Sequence, residues 1–190
     1  MKCNLPQSWQ DEEWLTKNPE RVSFAQVSVN NYLRDAQGLY RGKKALHIGV
    51  GNSSMYKDLH GVFSQIDGIT NTKQELEMAK GYRVYLVNKY DADEFSKLDG
   101  DYDVINDVNL KSFACCNDHW IDFMKTVVER LKIGGRLISH TAGFGGHGSL
   151  MDNSTTMKEM YQLLQPSCFL FEMKHLADES GYYPFIIEKT

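Results

Sequence analysis

The sequence predicts an α/β fold, a three-layer α/β/α sandwich around a seven-stranded, mostly parallel sheet whose last strand runs antiparallel. Short β-like apolar runs alternate with segments of helical periodicity from residue 45 to the C-terminus. Such alternation predicts parallel strands joined by right-handed crossovers, with helices on both faces. Only "ADESGYY" (177–183) separates the last two runs. Because this link is too short for a crossover, the final strand is expected to be antiparallel.

Seven apolar runs are predicted to be strands. They are ALHIGV (45–50), SQIDGIT (64–70), RVYLVN (83–88), YDVINDV (102–108), RLISHTA (136–142), CFLFEMKHL (168–176) and PFIIEKT (184–190).

Four segments between these runs carry apolar residues at helical spacing. They are residues 54–62, NTKQELEMAKG (71–81), DHWIDFMKTVVERLKIGG (118–135) and MKEMYQLLQP (157–166). The second has an N-cap candidate in Asn71 or Thr72 and is predicted to stop at Gly81. The third is predicted to end at Gly134-Gly135.

The 190 residues fit one domain with a sizeable core. Residues 45–190 form the predicted Rossmann-like core, and residues 1–44 an N-terminal helical extension in which Ser8 can cap a helix. Hydrophobic residues make up 42% of the chain and charged residues 24%, as in ordinary globular proteins.

Charge and hydropathy exclude some partners. The formal net charge of −4 argues against nucleic-acid binding. No apolar stretch is long enough to span a membrane, and the N-terminus lacks the apolar region of a signal peptide. We therefore expect a cytoplasmic protein without nucleic-acid or membrane partners, whose four cysteines are reduced thiols. A homodimer is compatible with the sequence.

The turn after the first strand, GVGNSS (49–54), is the candidate ligand site. In open α/β sheets ligands bind beyond the carboxyl ends of the strands, and glycines there permit positive φ and close backbone approach. A phosphate-loop Lys is missing, and Ser54 stands at the third glycine position of the dinucleotide pattern. Both departures count against a nucleoside triphosphate or NAD.

The chain contains five pieces in a fixed order: ALHIGVGNSS, IDGITNTKQELEMAK, NKYDADEF, YDVINDV and LKIGGRLIS. With these pieces it resembles the class I S-adenosylmethionine-dependent methyltransferases over residues 43–190. The resemblance implies S-adenosylmethionine as the cofactor, with the turn under its methionine part. The turn residues implied are Gly49, Val50, Gly51, Asn52 and Ser53.

Further cofactor positions follow from the same resemblance. Thr70 and Asn71 stand at the ribose hydroxyls, Asp91 with Ala92 at the adenine amino group, and Asn106 at the methyl-transfer site. Two of the family's acidic residues are replaced here, by His47 before the turn and by Thr70 at the ribose. By its position, His47 is also a predicted cofactor-binding residue. The cofactor is therefore expected to be held by backbone groups more than by carboxylates.

Methyl transfer needs alignment and, for a hydroxyl acceptor, a base. Asp107 and His140 are the candidate catalytic residues, and each could instead have a structural role. TAGFGGHGS (141–149), which holds His147, is a candidate lid. Asp101 and Asp103 lie at the wrong end of their strand for a metal site with Asp107, so no metal is expected.

Two functions remain open at this point. The first is a methyltransferase acting on a small molecule, with a sugar or secondary-metabolite hydroxyl as the predicted acceptor. The second is an inactive relative that binds S-adenosylmethionine or a nucleotide as a sensor or partner protein. The missing acids favour the second, whereas the ordered series of motifs favours the first.

Overall fold

The computed structural model describes residues 22–111, 114–144 and 157–190. The described chain begins with two helices, α1 (Phe24–Asp35) and α2 (Gln37–Tyr40). Ser23 caps α1 by accepting a hydrogen bond from the Gln26 backbone N–H. The helix predicted after Ser8 lies outside the described residues.

Seven strands follow, and each overlaps one of the seven predicted runs. They are β1 (Lys44–Ile48), β2 (Gln65–Thr70), β3 (Arg83–Leu86), β4 (Tyr102–Asn106), β5 (Leu131–His140), β6 (Cys168–Glu172) and β7 (Pro184–Lys189).

Five further α-helices connect or flank the strands. They are α3 (Ser54–Leu59), α4 (Lys73–Met78), α5 (Ala92–Ser96), α6 (Asn117–Arg130) and α7 (Met157–Leu164). Short 3₁₀ helices at Thr141–Phe144 and Lys174–Leu176 follow β5 and β6.

The strand order is β3-β2-β1-β4-β5-β7-β6. The pairs from β3 to β5 are parallel, whereas β7 is antiparallel to both β5 and β6. The predicted seven-stranded sheet with an antiparallel last strand is therefore confirmed. Strand order reverses between β1 and β4, so the turn after β1 lies at a topological switch point, where ligands bind in such sheets.

Each face of the sheet has its own hydrophobic core. On one face, Phe95 of α5 and Phe123 of α6 pack with Leu46, Ile105 and Leu137 of the central strands. On the other face, Val29 and Leu33 of α1 pack with Ala45, Val104 and Ile138. We call the first the α6 face and the second the α1 face.

Some predicted boundaries were wrong. The helix starting near Asn71 ends at Met78, before Gly81, and α6 ends at Arg130, before the two glycines that were predicted to stop it. Gly134 and Gly135 belong to β5. A Cβ at Gly135 would lie 2.8 Å from the Lys132 carbonyl oxygen, so this strand needs glycine for close backbone approach.

Two other elements also differ in length from their predictions. Strand β6 ends at Glu172, and the rest of its predicted run is 3₁₀ helix and loop. Helix α3 ends at Leu59 instead of residue 62. Among the described residues, no helix combines the length and apolarity needed to cross a membrane.

Candidate functional site

The turn after β1 has the backbone that its glycines predict. Gly49 and Gly51 have φ values of 72° and 51°, and Ser53 has 64°. Ser53 is thus a non-glycine residue in the left-handed region, a strained conformation that is frequent at functional sites. Apart from Gly49 itself and its two chain neighbours, no heavy atom of the described residues lies within 4 Å of the place that a Cβ would take at Gly49. The backbone there is open to a ligand.

Val50 fixes the turn to the sheet. Its side chain is buried, and a Cβ on Gly68 of β2 would lie 2.5 Å from Val50 Cγ1. Glycine at position 68 therefore makes room for Val50 above the strand. Any contact of Val50 with a ligand has to be made by its backbone.

His47 lies in β1 between Gly68 and Asn106 of the neighbouring strands. It is fully buried, and burial lowers its pKa to about 4. Its Nε2 lies 3.1 Å from Gln26 Oε1, whereas its Nδ1 has no hydrogen-bond partner among the described residues. At neutral pH the ring is therefore uncharged, and its Nδ1 is available for a hydrogen bond with a ligand.

Helix α1 connects His47 to Asn106. Gln26 Nε2 donates to Asn106 Oδ1 at 3.0 Å and to Asn30 Oδ1 at 2.7 Å. Asn106 Nδ2 donates to the Ile138 carbonyl oxygen at 3.1 Å. Two predicted cofactor residues, His47 and Asn106, therefore belong to one buried network that is held by α1.

Gln26 and Asn30 were missed by the sequence reasoning. They are spaced i, i+4 and directly follow the apolar positions Ala25 and Val29 in sequence. Two amides beside a helix's apolar stripe are the signal that indicates a buried polar network.

The carboxyl end of β2 receives an acid from a different element. Thr70 Oγ1 donates to Glu75 Oε2 at 2.5 Å and accepts from the Thr72 backbone N–H at 3.1 Å. Thr72 caps α4, which carries Glu75. All three side chains are buried. A carboxylate is therefore present beside Thr70, although it comes from α4 and not from the strand itself.

The carboxyl end of β3 leads to Asp91 and Ala92. Asp91 is the N-cap of α5, and its Oδ1 accepts from the Glu94 backbone N–H at 3.1 Å. The side chain is only partly buried, and Ala92 is exposed. Asp91 therefore has a structural role whether or not it meets a ligand.

Asp107, which follows β4, is fully buried and engages both of its carboxylate oxygens. Oδ1 accepts from the Asn109 backbone N–H at 2.9 Å, and Oδ2 forms a 2.8 Å ion pair with Lys89 Nζ. Burial lowers the pKa of Lys89, while the charge of Asp107 opposes that effect. The sequence reasoning missed Lys89, because no local pattern pairs residues 18 positions apart.

His140 ends β5 on the α1 face and is buried. Burial lowers its pKa, although the charge of Asp178 acts in the opposite direction. The Ala142 backbone N–H donates to its Nδ1 at 3.3 Å, and Nε2 has no partner among the described residues. Its ring meets Phe24 of α1 edge to face.

The two predicted catalytic residues lie on opposite faces of the sheet. Lys89, the partner of Asp107, has its Nζ 5.1 Å from the ring centroid of Phe123 on the α6 face, whereas His140 contacts α1. They are not placed to act as one pair. Asp103 has a different role. It accepts hydrogen bonds from the Lys44 backbone N–H and from Lys132 Nζ near the amino ends of the strands, away from the turn after β1.

Cys115, Cys116 and His119 at the start of α6 bring their sulfur and nitrogen atoms within 4.8 Å of one another. Cys115 is disulfide-bonded, so the expectation of reduced thiols was wrong for this residue. The described group therefore offers one thiol and one imidazole, too few ligands for a closed metal site. The predicted lid beyond Phe144, with His147, lies outside the described residues.

Comparison with solved structures finds the same overall fold in S-adenosylmethionine-dependent methyltransferases. CalS10, an amino pentose methyltransferase from Micromonospora echinaspora, was solved with S-adenosylmethionine bound. It superposes with a TM-score of 0.67 at 12% identity, over 95% of this chain and 97% of that chain. The chain has the class I methyltransferase fold.

Two further methyltransferases share the fold. The TehB-like S-adenosylmethionine-dependent methyltransferase from Corynebacterium glutamicum has a TM-score of 0.66 at 15% identity, over 97% of this chain and 98% of that one. The N-methyltransferase NodS from Bradyrhizobium japonicum has a TM-score of 0.63 at 9% identity, over 86% and 96%. No protein-family model and no curated protein sequence matches the chain.

Proposed function

We propose that the protein is an S-adenosylmethionine-dependent methyltransferase that acts on a small molecule. The observation that carries the proposal is the turn after β1. It combines two left-handed glycines and a strained Ser53 with open space at Gly49, at the switch point of a class I methyltransferase sheet. Backbone strain of this kind clusters at ligand-binding and active sites.

The residues around the turn fit such a cofactor. The backbone of Gly49 to Ser53 would pass under its methionine part, with His47 and Asn106 beside it. Thr70 and Asn71 would lie at the ribose, where Glu75 supplies the carboxylate that Thr70 lacks. Asp91 and Ala92 would meet the adenine ring.

When bound, this cofactor supplies a methyl group that is already activated on a sulfonium, so the protein has to align a nucleophile and manage a proton. We propose that His140 meets the acceptor. Asp107 has both oxygens engaged, and we assign it the role of fixing the loop after β4 through Asn109 and Lys89.

A hydroxyl of a sugar or secondary metabolite is the first candidate acceptor. Its proton has to be accepted by a base during transfer. For His140 to do this, its Nε2 has to be unprotonated, so the 3.3 Å bond from Ala142 to Nδ1 would have to open.

An amine is the second candidate acceptor. With Nδ1 accepting from Ala142, the neutral His140 ring carries its proton on Nε2 and is a donor there. A neutral amine attacks without simultaneous removal of a proton, so it needs no base at this position. Two structural neighbours are named as an amino pentose methyltransferase and an N-methyltransferase.

Calorimetric titration tests the cofactor. We expect the protein to bind S-adenosylmethionine and S-adenosylhomocysteine but not NAD. Asp91→Asn should weaken the affinity for S-adenosylmethionine and for S-adenosylhomocysteine by about tenfold. The substitution keeps the helix cap and removes the charge that would meet the adenine amino group. The matched control is Asp93→Asn in the same helix. Unchanged affinity in Asp91→Asn would contradict that assignment.

Methyl transfer to paired acceptors that differ only in a hydroxyl or an amino group tests the acceptor. His140→Ala should lower kcat for hydroxyl acceptors while cofactor affinity stays the same. Binding of S-adenosylmethionine without transfer to any acceptor would instead support the second function, an inactive sensor or partner protein.

A further inference from the structure

The imidazole of His47 has one nitrogen engaged and one unengaged. Nε2 lies 3.1 Å from Gln26 Oε1, and Nδ1 has no hydrogen-bond partner among the described residues. Buried polar atoms in native proteins are nearly always bonded, because leaving one unsatisfied is costly. What Nδ1 can bind depends on whether it carries the proton of the ring.

The position of that proton can be traced from a group that can only accept hydrogen bonds. The Ile138 carbonyl oxygen receives a hydrogen bond from Asn106 Nδ2 at 3.1 Å. Asn106 therefore presents its Oδ1 to Gln26, at 3.0 Å from Gln26 Nε2. Since Oδ1 is an acceptor, the group of Gln26 that faces it is the NH₂.

A second, independent group gives the same orientation. The Asp58 carboxylate accepts from Asn30 Nδ2 at 2.8 Å, so Asn30 presents its own Oδ1 to Gln26 Nε2 at 2.7 Å. Both N–H bonds of the Gln26 amide are thus used. The remaining atom, Oε1, faces His47 and can only accept.

His47 therefore donates from Nε2. Burial holds its pKa at about 4, so at neutral pH the ring has a single proton. That proton is on Nε2, and Nδ1 carries a lone pair. The hydrogen-bond network has turned His47 into a neutral acceptor two residues before Gly49, where the related family has an acidic residue.

We propose that His47 Nδ1 accepts a hydrogen bond from the ammonium group of the amino-acid part of the bound cofactor, and that Gln26 is the positioning residue that holds the ring in the required tautomer. This inference rests on the proposed function. The neighbouring side chain in β4 does not compete for Nδ1, because the amide of Asn106 is committed to Gln26 and Ile138. A lone pair thus takes over the accepting role of the missing carboxylate.

Nitrogen NMR of protein labelled with ¹⁵N-histidine reads the tautomer directly. In the free protein, His47 Nε2 should give a protonated-type signal and Nδ1 an unprotonated-type signal. S-adenosylhomocysteine should shift the Nδ1 signal towards that of a hydrogen-bonded nitrogen. Its analogue without the α-amino group should not. The exposed His60 serves as an internal control that neither ligand should move.

Calorimetry with the same two ligands measures how much the proposed hydrogen bond to His47 Nδ1 contributes to affinity. The protein should prefer S-adenosylhomocysteine over the deaminated analogue by about 10- to 100-fold, as expected for a hydrogen bond to a charged group. Gln26→Leu should reduce that preference to less than about threefold and allow both His47 tautomers in the NMR spectrum. Gln37→Leu, on the exposed surface of α2, is the matched control. It should change neither the ligand preference nor the His47 tautomer.

The possible results separate this inference from the proposed function. If the protein binds neither S-adenosylmethionine nor S-adenosylhomocysteine, both fail. If it binds them while Nδ1 is protonated, or while the deaminated analogue moves Nδ1 equally, only the inference is overturned. Because these measurements use the unchanged protein, they hold even if the Gln26 variant does not fold.

Discussion

Both faces of the sheet have an apolar core, but they bury different polar groups. On the α6 face, Phe95, Phe123 and their neighbours form an apolar core with the Lys89–Asp107 ion pair beside it. On the α1 face, Gln26, Asn30, His47 and Asn106 are buried between helix and sheet in one hydrogen-bonded network. An apolar core would stabilise the fold without supplying any specific hydrogen-bonding group. The α1 face therefore keeps polar groups ready at the point where a ligand is expected.

Truncation of a core side chain on the α6 face should have the largest effect on stability. Phe123 is 1% exposed and packs edge to face against Tyr90 and Phe95. Phe123→Ala should lower the free energy of unfolding by about 3–5 kcal/mol, because it creates a cavity in the core. Urea denaturation measures the loss.

If the two faces have separate tasks, the folded fraction of Phe123→Ala should bind S-adenosylhomocysteine with unchanged affinity. A parallel loss of affinity would show that the comparison between the faces is wrong.

Buried His47 on the α1 face should make the free energy of unfolding depend on pH. The pKa of His47 is about 4 in the folded protein and about 6.5 in the unfolded chain. Between these values the unfolded chain binds a proton that the folded protein does not, so stability falls as the pH falls. The loss attributable to His47 between pH 6.5 and pH 4 should be about 3 kcal/mol.

His47→Gln should flatten this dependence in urea denaturation at several pH values. Part of the slope should remain, because burial lowers the pKa of His140 as well. The same slope in the variant and the natural protein would contradict the assignment to His47.

The smallest expected effect comes from the strained turn. Ser53 has a left-handed backbone and accepts a 2.9 Å hydrogen bond from the Tyr82 hydroxyl. Ser53→Ala loses the bond and keeps the strain, whereas Ser53→Gly loses both. The glycine variant should therefore be more stable than the alanine variant by about 1 kcal/mol. Equal thermal stability would argue that the turn is not strained.

The sequence was sufficient for the fold because periodicity and short links are local signals. The link at 177–183 was enough to predict the antiparallel β7. Boundaries failed where glycine had another use, as at Gly135, which permits close strand approach instead of ending a helix.

The site was less accessible to sequence reasoning, because its partners come from distant parts of the chain. Gln26 meets residues 21 and 80 positions away, and Lys89 meets Asp107 across two strand ends. The departures at His47 and Thr70 were visible in the sequence. The groups beside them, Gln26 and Glu75, became apparent only in the folded chain.

One pair of variants tests the central claim that the turn after β1 holds the cofactor. Gly49 and Gly42 have nearly equal backbone φ, 72° and 76°, and at both a Cβ would meet open space among the described residues. They lie at opposite ends of β1, so Gly49→Ala and Gly42→Ala should carry similar strain. Calorimetry with S-adenosylhomocysteine should show at least about tenfold weaker binding for Gly49→Ala and unchanged binding for Gly42→Ala. Equal affinity in the two variants would contradict the claim.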